Sequence, residues 1–490
     1  MVRKGRLMEK RLVELENKYG GYQSGVPRRQ VSPSDPRPAE KVFDGGMIGG
    51  DRMSPDRHNY APVYARHLKG RIDKPVVLVE FGILTGTGLA MWAELLPAGS
   101  RIIGFDIDLS HFSDNRDDLE RLGAFQNNPV ETYELDQFVD NTELLSEVLG
   151  GDYVDIVIDD GCHFDNAIMQ TLLSVWPFLA AGFVYFIEDN RRVHDQIRPA
   201  FPKLTVENHD MITVLYGQAF GEWISRATGY EINFIDPKTY NEKINHKKLF
   251  DRNPLLPIVA DKYRARKWVA DVLGTDAVLK PLIYATDNPD DIPWNDLPAD
   301  YVVKPNHLSG AVKFIRDGQV DREELTAVCR GWLARKYAPF SMEWAYLPIP
   351  PMILVEDLLS GAPDSFKFHC FHGKCHFVKV ISGGLEAKKK RCFTFFTPDT
   401  WEKIPVSWDR YGHADIPRPD NLGLMVDYAE KLSAVFDYIR VDLALFDGRI
   451  YFEEMTNYPT GGHSTLEPIE YDRIWGDLWT ITPHYWEKKV

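Results

Sequence analysis

Cysteine is scarce in this chain, which has only five cysteines in 490 residues. Their spacing does not provide the paired motifs of a zinc knuckle. Two of them lie in an alternating run that is typical of a strand, so we expect buried, reduced thiols, which fit the cytosol. The cysteines are Cys162, Cys329, Cys370, Cys375 and Cys392.

Long apolar runs and an excess of positive charge are also missing. The longest apolar stretches, such as VVLVEFGIL, fall far short of the roughly 20 residues that a membrane helix needs. The amino terminus, MVRKGRLMEKRLVELENKYGG, has no uninterrupted apolar core and does not predict a secretory signal. The net charge of -15 argues against a general nucleic-acid binder, although it allows a local basic pocket. We expect a soluble, cytoplasmic protein with no membrane span and no nucleic-acid partner.

The length predicts more than one domain, because a single hydrophobic core does not extend over 490 residues. Residues 1–44 predict a short charged helix and then a mobile connector, which contains the Pro-rich stretch PRRQVSPSDPRPAEK. Residues 45–220 and 221–490 predict two larger domains. We expect their boundary between about residues 205 and 235.

In residues 45–220, short apolar runs alternate with amphipathic segments. This alternation predicts an α/β fold with a parallel sheet covered on both faces. We expect the regular block to close near residue 195 and a less regular stretch to follow. The predicted strands are VVLVEF, RIIGFDI, DYVDIVID and GFVYFIED, and the predicted helices are GTGLAMWAELL, DNTELLSEVL and NAIMQTLLSVWPFLA.

Residues 221–490 begin with a polar, Lys-rich segment, NFIDPKTYNEKINHKKLFDRNP. The remainder places strands in hairpin-like pairs beside helices, which predicts an α+β module. The predicted helices are DKYRARKWVADVL and NLGLMVDYAEKLSAVFD, and the predicted strands lie in ADYVVKPN, PMILVEDLL, FKFHCFHGKCHFVKVI and YIRVDLALFDGRIYFEEMT.

A glycine-rich turn joins the first predicted strand to its helix. Gly82, Gly86 and Gly88 permit a tight turn and a close backbone approach to a ligand at the helix amino terminus. Asp106 ends the second strand, where a carboxylate can accept both ribose hydroxyls of a nucleoside. The order E-x-G-x-x-x-G-x-G, which starts at Glu80, differs from a dinucleotide fingerprint and favours S-adenosylmethionine (SAM). The alternative is that the glycines only form turns.

Carboxylates also end the next two predicted strands. Asp160 and Asp189 should point into one crevice, because the carboxyl ends of parallel strands share an edge of the sheet. Oxygen ligands of this kind suit Mg²⁺, with Glu80 nearby. His163 lies at the same edge and can take a proton from a substrate hydroxyl. The alternative is that Asp159 caps the following helix and His163 is a surface loop residue.

These motifs resemble those of the metal-dependent O-methyltransferases that act on sugar hydroxyls of macrolides. The resemblance covers residues 45–190 and implies a Rossmann-like, class I SAM methyltransferase. It implies Mg²⁺ on Asp160 and Asp189, His163 as the catalytic base and Glu80 as a further ligand. Cys162 replaces the usual Ser of the family, and the ending IEDN followed by RRVHDQ is less typical. The segments that carry the resemblance are GGDRMSPDRHNYAPVYARHL, EFGILTGTGLAMW, GFDID, DIVIDDGCH and YFIEDN.

The second half contains residues suited to a triphosphate. Lys304 ends a predicted strand and can meet the α- and β-phosphates, and backbone amides around Ser309 and Gly310 can close over the phosphates. Glu356 lies where a strand meets a loop and suits an adenine amino group or a ribose. Taken alone, each residue is equally typical of a solvated surface or a loop.

A strand and a hairpin supply the remaining candidates. The strand FKFHCFHGK carries Lys367. The hairpin presents Arg440, Asp442, Glu454 and Asn457. Acidic groups on paired strands can hold two Mg²⁺ ions that bridge ATP phosphates, while Arg440 offsets charge on the transferred phosphoryl group. The alternative for the Asp-Gly pair between the strands is a simple hairpin turn.

Residues 225–485 resemble the ATP-grasp family of the teichuronopeptide-biosynthesis type. The resemblance implies an ATP-grasp fold that activates a carboxylate as an acyl phosphate for attack by an amine. It implies that Lys304 and Lys367 bind ATP, that Glu356 binds the adenosine and that three further residues bind metal ions. Thr456 stands where the family often has Asn, so Asn457 either shifts the register by one or plays another part. The implied metal ligands are Asp442, Glu454 and Asn457.

Together the two halves predict a bifunctional tailoring enzyme. One part would methylate a hydroxyl, and the other would join a carboxylate to an amine such as an amino acid. Both resemblances favour a small-molecule or glycan substrate, as in polysaccharide or natural-product biosynthesis. Two alternatives stay open: a ligase whose methyltransferase-like part is a binding platform, and a non-catalytic nucleotide-binding scaffold.

Overall fold

The chain folds into two compact units in a computed structural model. The first unit is Met1–Trp223 and the second unit is Ile224–Val490. None of the helices in the described stretches combines the length and the apolar composition that crossing a membrane requires. The residues that the structure describes are 2–38, 41–42, 46–335, 337, 339–359, 364–382, 392–409 and 411–489.

The first unit alternates strands and helices over most of its length. Its helices are α1 (Val2–Gly20), α2 (Ala61–Leu68), α3 (Thr87–Leu95), α4 (Ser110–Arg121), α5 (Thr142–Leu149), α6 (Asp165–Val175) and α7 (Val193–Ala200). Its strands are β1 (Gln23–Val26), β2 (Met47–Gly49), β3 (Val77–Phe81), β4 (Arg101–Asp106), β5 (Val130–Glu134), β6 (Val154–Asp159), β7 (Leu179–Ile187), β8 (Leu204–His209) and β9 (Ile212–Gly217). Helix α8 (Phe220–Thr228) follows β9.

Seven strands of the first unit form one sheet in the order β5-β4-β3-β6-β7-β9-β8. The five strands from β5 to β7 in that order are parallel to their neighbours. The central strands are almost entirely buried because helices cover both faces, which explains why their sequences are continuously apolar. From β3 the chain adds β4 and β5 on one side of the sheet and then β6 and β7 on the other, so the topological switch point lies between β3 and β6. The predicted Rossmann-like fold is confirmed.

The sheet continues beyond the point where the sequence predicts a less regular stretch. Strands β8 and β9 form an antiparallel hairpin, and β9 pairs antiparallel with β7. The first four residues of β9 are buried, whereas β8 lies at the sheet edge and is only half-buried. Its sequence, LTVENH, therefore lacks the apolar run of a buried strand, which is why the prediction stops near residue 195.

The amino-terminal helix packs against the first unit. Leu12, Leu15 and Tyr19 are buried in the same hydrophobic cluster as α2 and α3. Glu16 accepts hydrogen bonds from the backbone amides of residues 52–54 at 2.9–3.1 Å. The helix thus holds the loop that precedes α2 in place.

The second unit is an α+β structure. Its helices after α8 are α9 (Tyr240–Phe250), α10 (Leu255–Ala260), α11 (Arg264–Leu273), α12 (Arg322–Ala334), α13 (Leu422–Ser433) and α14 (Glu470–Asp477). Its strands are β10 (Leu282–Thr286), β11 (Tyr301–Pro305), β12 (Lys313–Ile315), β13 (Ile353–Asp357), β14 (Asp364–Phe371), β15 (Lys374–Ser382), β16 (Cys392–Phe396), β17 (Lys403–Ile404), β18 (Ser407–Trp408), β19 (Tyr438–Phe446), β20 (Arg449–Thr456) and β21 (Leu466–Glu467).

Two antiparallel sheets organise the second unit. The smaller has the order β10-β13-β11-β12 and the larger has the order β17-β16-β15-β14-β19-β20. The main core of this unit lies between the larger sheet and helices that include α9, α11, α13 and α14. Paired strands beside helices agree with the predicted α+β class, and the fold class of both halves is confirmed.

Helix α9 occupies the segment that appears polar and Lys-rich in the sequence. Thr239 and Glu242 form a capping box at its start, which explains why the helix begins there. Lys247 is buried between Asp251 and Asp437, 2.8 Å from the Asp437 carboxylate. Charged side chains enter the core here because partners distant in sequence neutralise them, which a local pattern cannot indicate.

Candidate functional site

The first unit contains a cavity of about 500 Å³ at the carboxyl ends of its parallel strands. Loops after β3, β4, β6 and β7 form its floor, as expected for the crevice of an open α/β sheet. Residues from the amino-terminal segments 28–35 and 46–52 form the rest of its wall. The predicted site residues that line it are Glu80, Gly82, Gly88, Asp106, Asp160, His163 and Asp189.

The glycine-rich turn approaches the neighbouring strand loop too closely for a side chain. Gly82 has φ +85°, and a Cβ on it would lie 2.3 Å from the Asp160 carbonyl oxygen. Gly86 has φ +79° and precedes the first turn of α3. A Cβ on Gly86 would meet the Phe112 ring at 2.3 Å. Both positions therefore require glycine: Gly82 brings bare backbone to the cavity, whereas Gly86, also predicted to contact the cofactor, is not among the residues that line the cavity and allows the turn to pack against Phe112.

Asp106 fixes this turn to the end of β4. Its Oδ2 accepts hydrogen bonds from the backbone amides of Ile83 and Leu84, both at 2.9 Å. Burial raises the pKa of the Asp106 carboxyl, and the backbone amides act in the opposite direction. The side chain thus has one oxygen committed to the turn and lies on the cavity wall where the sequence predicts a ribose contact.

Asp160, His163 and Asp189 converge at the cavity. One potential ligand atom from each lies within 4.8 Å of those of the other two. His163 and Asp189 both have positive φ, of 57° and 54°, so the strand-end loops turn their side chains towards a common point. The buried His163 Nδ1 has no hydrogen-bond partner. This set has the donor chemistry of a divalent cation site.

Arg52 lies beside this cluster and holds the predicted ligand Glu80. Its guanidinium donates to Glu80 at 2.7 Å and to Glu188 at 2.8 and 2.9 Å. It lies 3.5 Å from Asp160. Trp92 Nε1 also donates to Glu80, at 3.3 Å. Glu80 is completely buried and is engaged by Arg52, and it does not belong to the group of potential ligand atoms that converge at the cavity.

The charges of this site do not balance. Glu80, Asp160 and Glu188 surround Arg52, the one guanidinium that the structure describes as ion-paired with them, and Asp189 lies beside His58. Burial raises the pKa of the Asp160 carboxyl, and Glu188 and Asp189 add to that effect while Arg52 opposes it. An excess of carboxylates over cationic side chains favours protonation of a carboxylate or binding of a metal ion.

His163 is held as a neutral imidazole. Burial lowers its pKa, although the Asp189 and Glu188 carboxylates act in the opposite direction. Asn190 donates to the His163 carbonyl oxygen at 2.9 Å and thereby connects its loop to the end of β7. A neutral, buried ring with an unpartnered nitrogen can accept a proton near pH 7.

Asp159 does not cap the following helix. It is buried, and it accepts hydrogen bonds from Gln137 at 2.7 Å and from the Tyr185 hydroxyl at 3.0 Å. Burial raises its pKa to about 7. Helix α6 begins six residues later, at Asp165. Asp159 thus supports the loop from beneath while Asp160 faces the cavity.

Sequence reasoning missed several residues that support the site. His58 Nδ1 lies 3.0 Å from Asp189, and the Tyr60 hydroxyl donates to the same carboxylate at 2.5 Å. Together with Arg52 they come from the loop before α2, within the segment GGDRMSPDRHNY. The signal available in the sequence was this run of charged and aromatic residues, which carried part of the family resemblance but no assigned role.

The Pro-rich amino-terminal stretch also contacts the cavity. Ser32 donates to Asp136 at 2.5 Å, and Arg29 donates to Ser110 at 2.8 Å. Both residues line the cavity. The sequence predicts a mobile connector here, whereas the structure places its described residues along the cavity wall, anchored by side chains that local composition does not reveal.

In the second unit, Lys304 and Glu356 meet across the smaller sheet. Lys304 Nζ lies 2.5 Å from the Glu356 carboxylate, and Arg266 lies 3.6 Å from it. Burial alone would raise the pKa of Glu356, but the Lys304 ammonium outweighs it and the pKa is lowered. Lys304, predicted to bind the phosphates, and Glu356, predicted to bind the adenosine, therefore form one ion pair on the adjacent strands β11 and β13.

Lys262 is a further cation of this region that no single motif identified. Burial lowers its pKa, while Glu454 and Glu356 raise it. Its Nζ donates to the Leu308 carbonyl oxygen at 2.9 Å. Lys262 thus interacts electrostatically both with Glu356 on the smaller sheet and with Glu454 on the hairpin. Its hydrogen bond to Leu308 anchors the loop that contains Ser309.

Ser309 and Gly310 lie in the loop between β11 and β12. Both are exposed, and Gly310 has φ +71°. A Cβ on Gly310 would meet no atom within 4 Å. The glycine is therefore required by the backbone conformation, and the exposed loop is free to close over a ligand.

The predicted metal ligands Asp442 and Glu454 lie opposite each other on β19 and β20. Arg440 joins them, because it contacts Asp442 through two hydrogen bonds of 2.7 Å and lies 3.3 Å from Glu454. Lys367 also pairs with Asp442. Burial alone would raise the pKa of Asp442, but Arg440 and Lys367 lower it to about 2. Thr456 accepts a hydrogen bond from Arg440 at 2.9 Å.

Asn457 has a different position from the acidic pair. Its side chain is fully buried, and its amide donates to the Leu256 carbonyl oxygen at 3.0 Å. Its Oδ1 is buried without a hydrogen-bond partner. The amide therefore links the end of β20 to α10 and leaves one oxygen that a ligand can use.

A comparison with protein families supports the ATP-grasp resemblance. Residues 242–480 match the model of the TupA-like ATP-grasp family. This range includes all the predicted site residues of the second unit.

Curated relatives match the amino-terminal region. Mycinamicin VI 2''-O-methyltransferase of Micromonospora griseorubida is 30% identical over 142 residues, which are 27% of this chain and 31% of the relative. L-olivosyl-oleandolide 3-O-methyltransferase of Streptomyces antibioticus is 34% identical over 140 residues, which are 27% of this chain and 32% of the relative. The chain thus spans about a third of the length of these relatives.

Solved structures give a weaker likeness. The MycE methyltransferase from the mycinamycin biosynthetic pathway, in complex with Mg, SAH and mycinamycin VI, is 18% identical and covers 34% of this chain and 51% of its own. Its TM-score of 0.28 is too low to support an inference. The amino-terminal region therefore matches sugar O-methyltransferases of macrolide biosynthesis and residues 242–480 match the TupA-like ATP-grasp family, which confirms both resemblances.

Proposed function

We propose that the chain is a bifunctional tailoring enzyme. Residues 45–220, preceded by the segment 1–44, form a SAM- and Mg²⁺-dependent O-methyltransferase for a hydroxyl, most simply on a sugar. Residues 221–490 form an ADP-forming ATP-grasp ligase that joins a carboxylate to an amine. The observation that carries the proposal is the convergence of Asp160, His163 and Asp189 at the cavity beside the glycine-rich turn.

The cavity suits SAM in its shape and in its polar groups. The bare backbone at Gly82 provides the close approach that the amino-acid tail requires, and Gly86 lets the turn pack against Phe112. Asp106 lines the cavity and accepts from two turn amides through Oδ2 and from the Asp108 amide through Oδ1 at 3.2 Å, so the backbone fixes the carboxylate where a ribose hydroxyl can donate to a remaining lone pair. The excess of carboxylates and the unpartnered His163 Nδ1 fit a divalent cation and its substrate.

His163 acts as the general base of methyl transfer. Its neutral ring accepts the proton of the substrate hydroxyl as that oxygen bonds to the methyl carbon and the carbon–sulfur bond breaks. Asp160 and Asp189 hold the metal, and Arg52 keeps Glu80 and Glu188 in place beneath them. When bound, SAM supplies the methyl group and Mg²⁺ orients and acidifies the hydroxyl.

In the second unit, basic residues bind the triphosphate and acidic residues bind its metal ions. Lys304 and Lys367 would exchange their carboxylate partners for phosphate oxygens, so that Glu356 would become available to the adenosine and Asp442 to a metal ion. Glu454 completes the metal set, and the unpartnered Asn457 oxygen lies beyond it. Arg440 stabilises charge on the transferred phosphoryl group. When bound, ATP would supply that phosphoryl group to a substrate carboxylate and leave as ADP; an amine would then attack the carbonyl carbon of the acyl phosphate, displace inorganic phosphate and lose a proton to give the amide.

The substrate class rests on both resemblances. The curated relatives are, by name, methyltransferases of glycosylated macrolides, which favours a glycosylated small molecule or a surface polysaccharide for this chain as well. The carboxylate and the methylated hydroxyl can belong to the same molecule, for example a uronic acid residue, with an amino acid as the amine.

The test measures both products of the full chain. Purified protein is incubated with Mg²⁺, SAM and ATP against panels of glycosides, carboxylates and amines, and S-adenosylhomocysteine (SAH) and ADP are quantified. His163→Ala should lower SAH formation by about 10²–10⁴-fold and leave ADP formation unchanged. Lys304→Ala should do the reverse. His194→Gln, a histidine outside the cavity lining, is the matched control and should affect neither.

The outcomes separate the alternatives. ADP formation that depends on carboxylate and amine, together with SAM binding but no SAH with any acceptor, would replace the proposal with a ligase and a binding platform. Binding of both nucleotides without either product would leave a scaffold. Equal loss of both activities in His163→Ala would contradict two independent sites.

A further inference from the structure

A second group of metal-binding side chains lies outside the cavity of the first unit. His67, Glu207 and His209 each place one potential ligand atom within 4.8 Å of the other two. None of the three lines the cavity. We propose that these residues form a second metal site, independent of the methyl-transfer site, and that it takes Zn²⁺ or a transition-metal ion of similar chemistry.

The backbone explains why the three side chains meet. Glu207 and His209 are two residues apart on β8, so both point to the same face of the sheet. His67 lies in the last turn of α2. The two segments are almost 140 residues apart in sequence, so no local motif indicates the group.

The distances fit a shared ion better than hydrogen bonds. His67 Nε2 and His209 Nε2 each lie 3.4 Å from the same carboxylate oxygen, Glu207 Oε2. Nitrogen–oxygen hydrogen bonds are typically about 2.7–3.2 Å long. Zinc bonds of about 2.0–2.2 Å place neighbouring atoms of a tetrahedron about 3.4 Å apart. The observed separations therefore match the edge of a tetrahedral site.

The ring nitrogens are otherwise unused. Both Nε2 atoms are buried and have no hydrogen-bond partner. The His67 side chain is 9% exposed, whereas those of His209 and Glu207 are 29% and 32% exposed. Two imidazoles and one carboxylate form a common ligand set for Zn²⁺, and the partial exposure leaves room for a water as the fourth ligand.

A neighbouring tyrosine orients the carboxylate. The Tyr216 hydroxyl donates to Glu207 Oε1 at 2.6 Å, which leaves Oε2 for the two histidines. Such a hydrogen bond to a ligating carboxylate is a regular feature of metal sites. Tyr216 lies on β9, so the edge hairpin itself fixes the geometry.

The site would attach α2 to the sheet edge. Tyr64 precedes His67 by one turn on α2, and its hydroxyl donates to Glu188 of the Arg52 cluster. An ion bound by His67 and the two β8 residues would therefore fix the helix that also reaches the methyl-transfer site. Its role is structural, and it does not depend on the proposed reaction.

The test uses Co²⁺ and Zn²⁺ as probes on the full chain after removal of metal by a chelator. The variant Asp160→Asn/Asp189→Asn first suppresses the cluster at the cavity. This chain should bind one equivalent of Co²⁺, with the visible absorption of a four-coordinate ion, and Zn²⁺ should displace it. Adding Glu207→Gln/His209→Gln should weaken Co²⁺ binding at least about 100-fold, whereas adding His194→Gln should not change it.

Two results would overturn the proposal. One is no Co²⁺ binding to the Asp160→Asn/Asp189→Asn chain at tens of micromolar metal. The other is unchanged binding when Glu207 and His209 are both replaced. If the double variant at the cavity fails to fold, the comparison is repeated with both cavity aspartates intact. The titration should then give two bound Co²⁺ ions per unchanged chain and one per Glu207→Gln/His209→Gln chain. Equal numbers of bound ions would contradict the site.

Discussion

The candidate sites of the two units differ in how their buried carboxylates are neutralised. In the first unit, Glu80, Asp160 and Glu188 surround the single guanidinium of Arg52, and the nearby Asp189 contacts His58 and the Tyr60 hydroxyl. In the second unit the predicted acidic site residues Glu356 and Asp442 already have basic partners. The pairs are Lys304 with Glu356, and Lys367 and Arg440 with Asp442.

This difference has a consequence for how each site meets its ligand. The first site has a surplus of negative charge, so a bound cation would lower the electrostatic cost of the empty state without first breaking a lysine–carboxylate pair. The second site is balanced, so its lysines must exchange carboxylates for phosphates, and its acids must exchange lysines for metal ions. Binding at the second site is therefore an exchange of partners, and binding at the first is an addition.

The largest expected effect comes from neutralising one acid in each unit. Asp442→Asn should destabilise the second unit by about 3–5 kcal/mol, because it leaves the buried Arg440 and Lys367 without their main partner. Asp160→Asn should leave the metal-free first unit unchanged or more stable, because it removes a surplus charge. Urea unfolding of the two variants with a chelator present measures both effects.

The contrast has a direct control. Adding Mg²⁺ should stabilise the unchanged first unit and should lose that effect in Asp160→Asn. Equal destabilisation by the two substitutions without metal would mean that Asp160 is as well compensated as Asp442.

An intermediate effect concerns Lys248, a buried lysine whose pKa is lowered in the folded chain. Lys248 donates to the Asn245 side chain and to the Gly461 carbonyl oxygen. Burial lowers its pKa from 10.5 to about 8, and Glu343 only partly opposes this. Between those two pH values the unfolded chain binds the proton that the folded chain has lost, so stability rises with pH by up to about 3 kcal/mol.

Lys248→Met tests this assignment because it cannot titrate. The difference in unfolding free energy between the unchanged chain and the variant should grow in favour of the unchanged chain from pH 8 to 10.5. A constant difference over that range would show that Lys248 keeps an ordinary pKa in the folded state.

The smallest expected effect concerns the packing beneath the first site. A Cβ on Gly88 would lie 2.5 Å from Glu80 Oε1 and 2.7 Å from a guanidinium nitrogen of Arg52. Gly88→Ala should therefore cost about 1–3 kcal/mol and weaken SAM binding. Gly21→Ala is the matched control, because a Cβ there meets nothing within 4 Å, and it should change stability by less than about 0.5 kcal/mol. If the two variants behave alike, the Arg52–Glu80 pair has room to shift.

The sequence predicts the parts of each site that follow from strand order. Asp160 and Asp189 end adjacent parallel strands, so their proximity follows from the fold, and the structure brings them together with His163. Asp442 and Glu454 belong to one hairpin, and they pair directly. In both cases the predicted proximity depends on backbone geometry alone, whereas the roles of these residues stay predictions.

The remaining contacts depend on residues distant in sequence. Arg52 reaches Glu80 and Glu188 from a loop before α2, and no pattern around it indicates a buried guanidinium. Lys247 enters the core because Asp437, 190 residues away, neutralises it. Such partners are selected by tertiary packing, which overrides the local preference of charged residues for the surface.

The most direct test of two separate nucleotide sites is calorimetric titration of SAH and of a non-hydrolysable ATP analogue into the full chain with Mg²⁺. We expect one equivalent of each to bind independently. Asp106→Ala should abolish SAH binding and preserve analogue binding, and Lys304→Ala should weaken the analogue by at least about tenfold and preserve SAH. Failure of SAH to bind, or loss of one ligand through a substitution in the other unit, would contradict two independent sites.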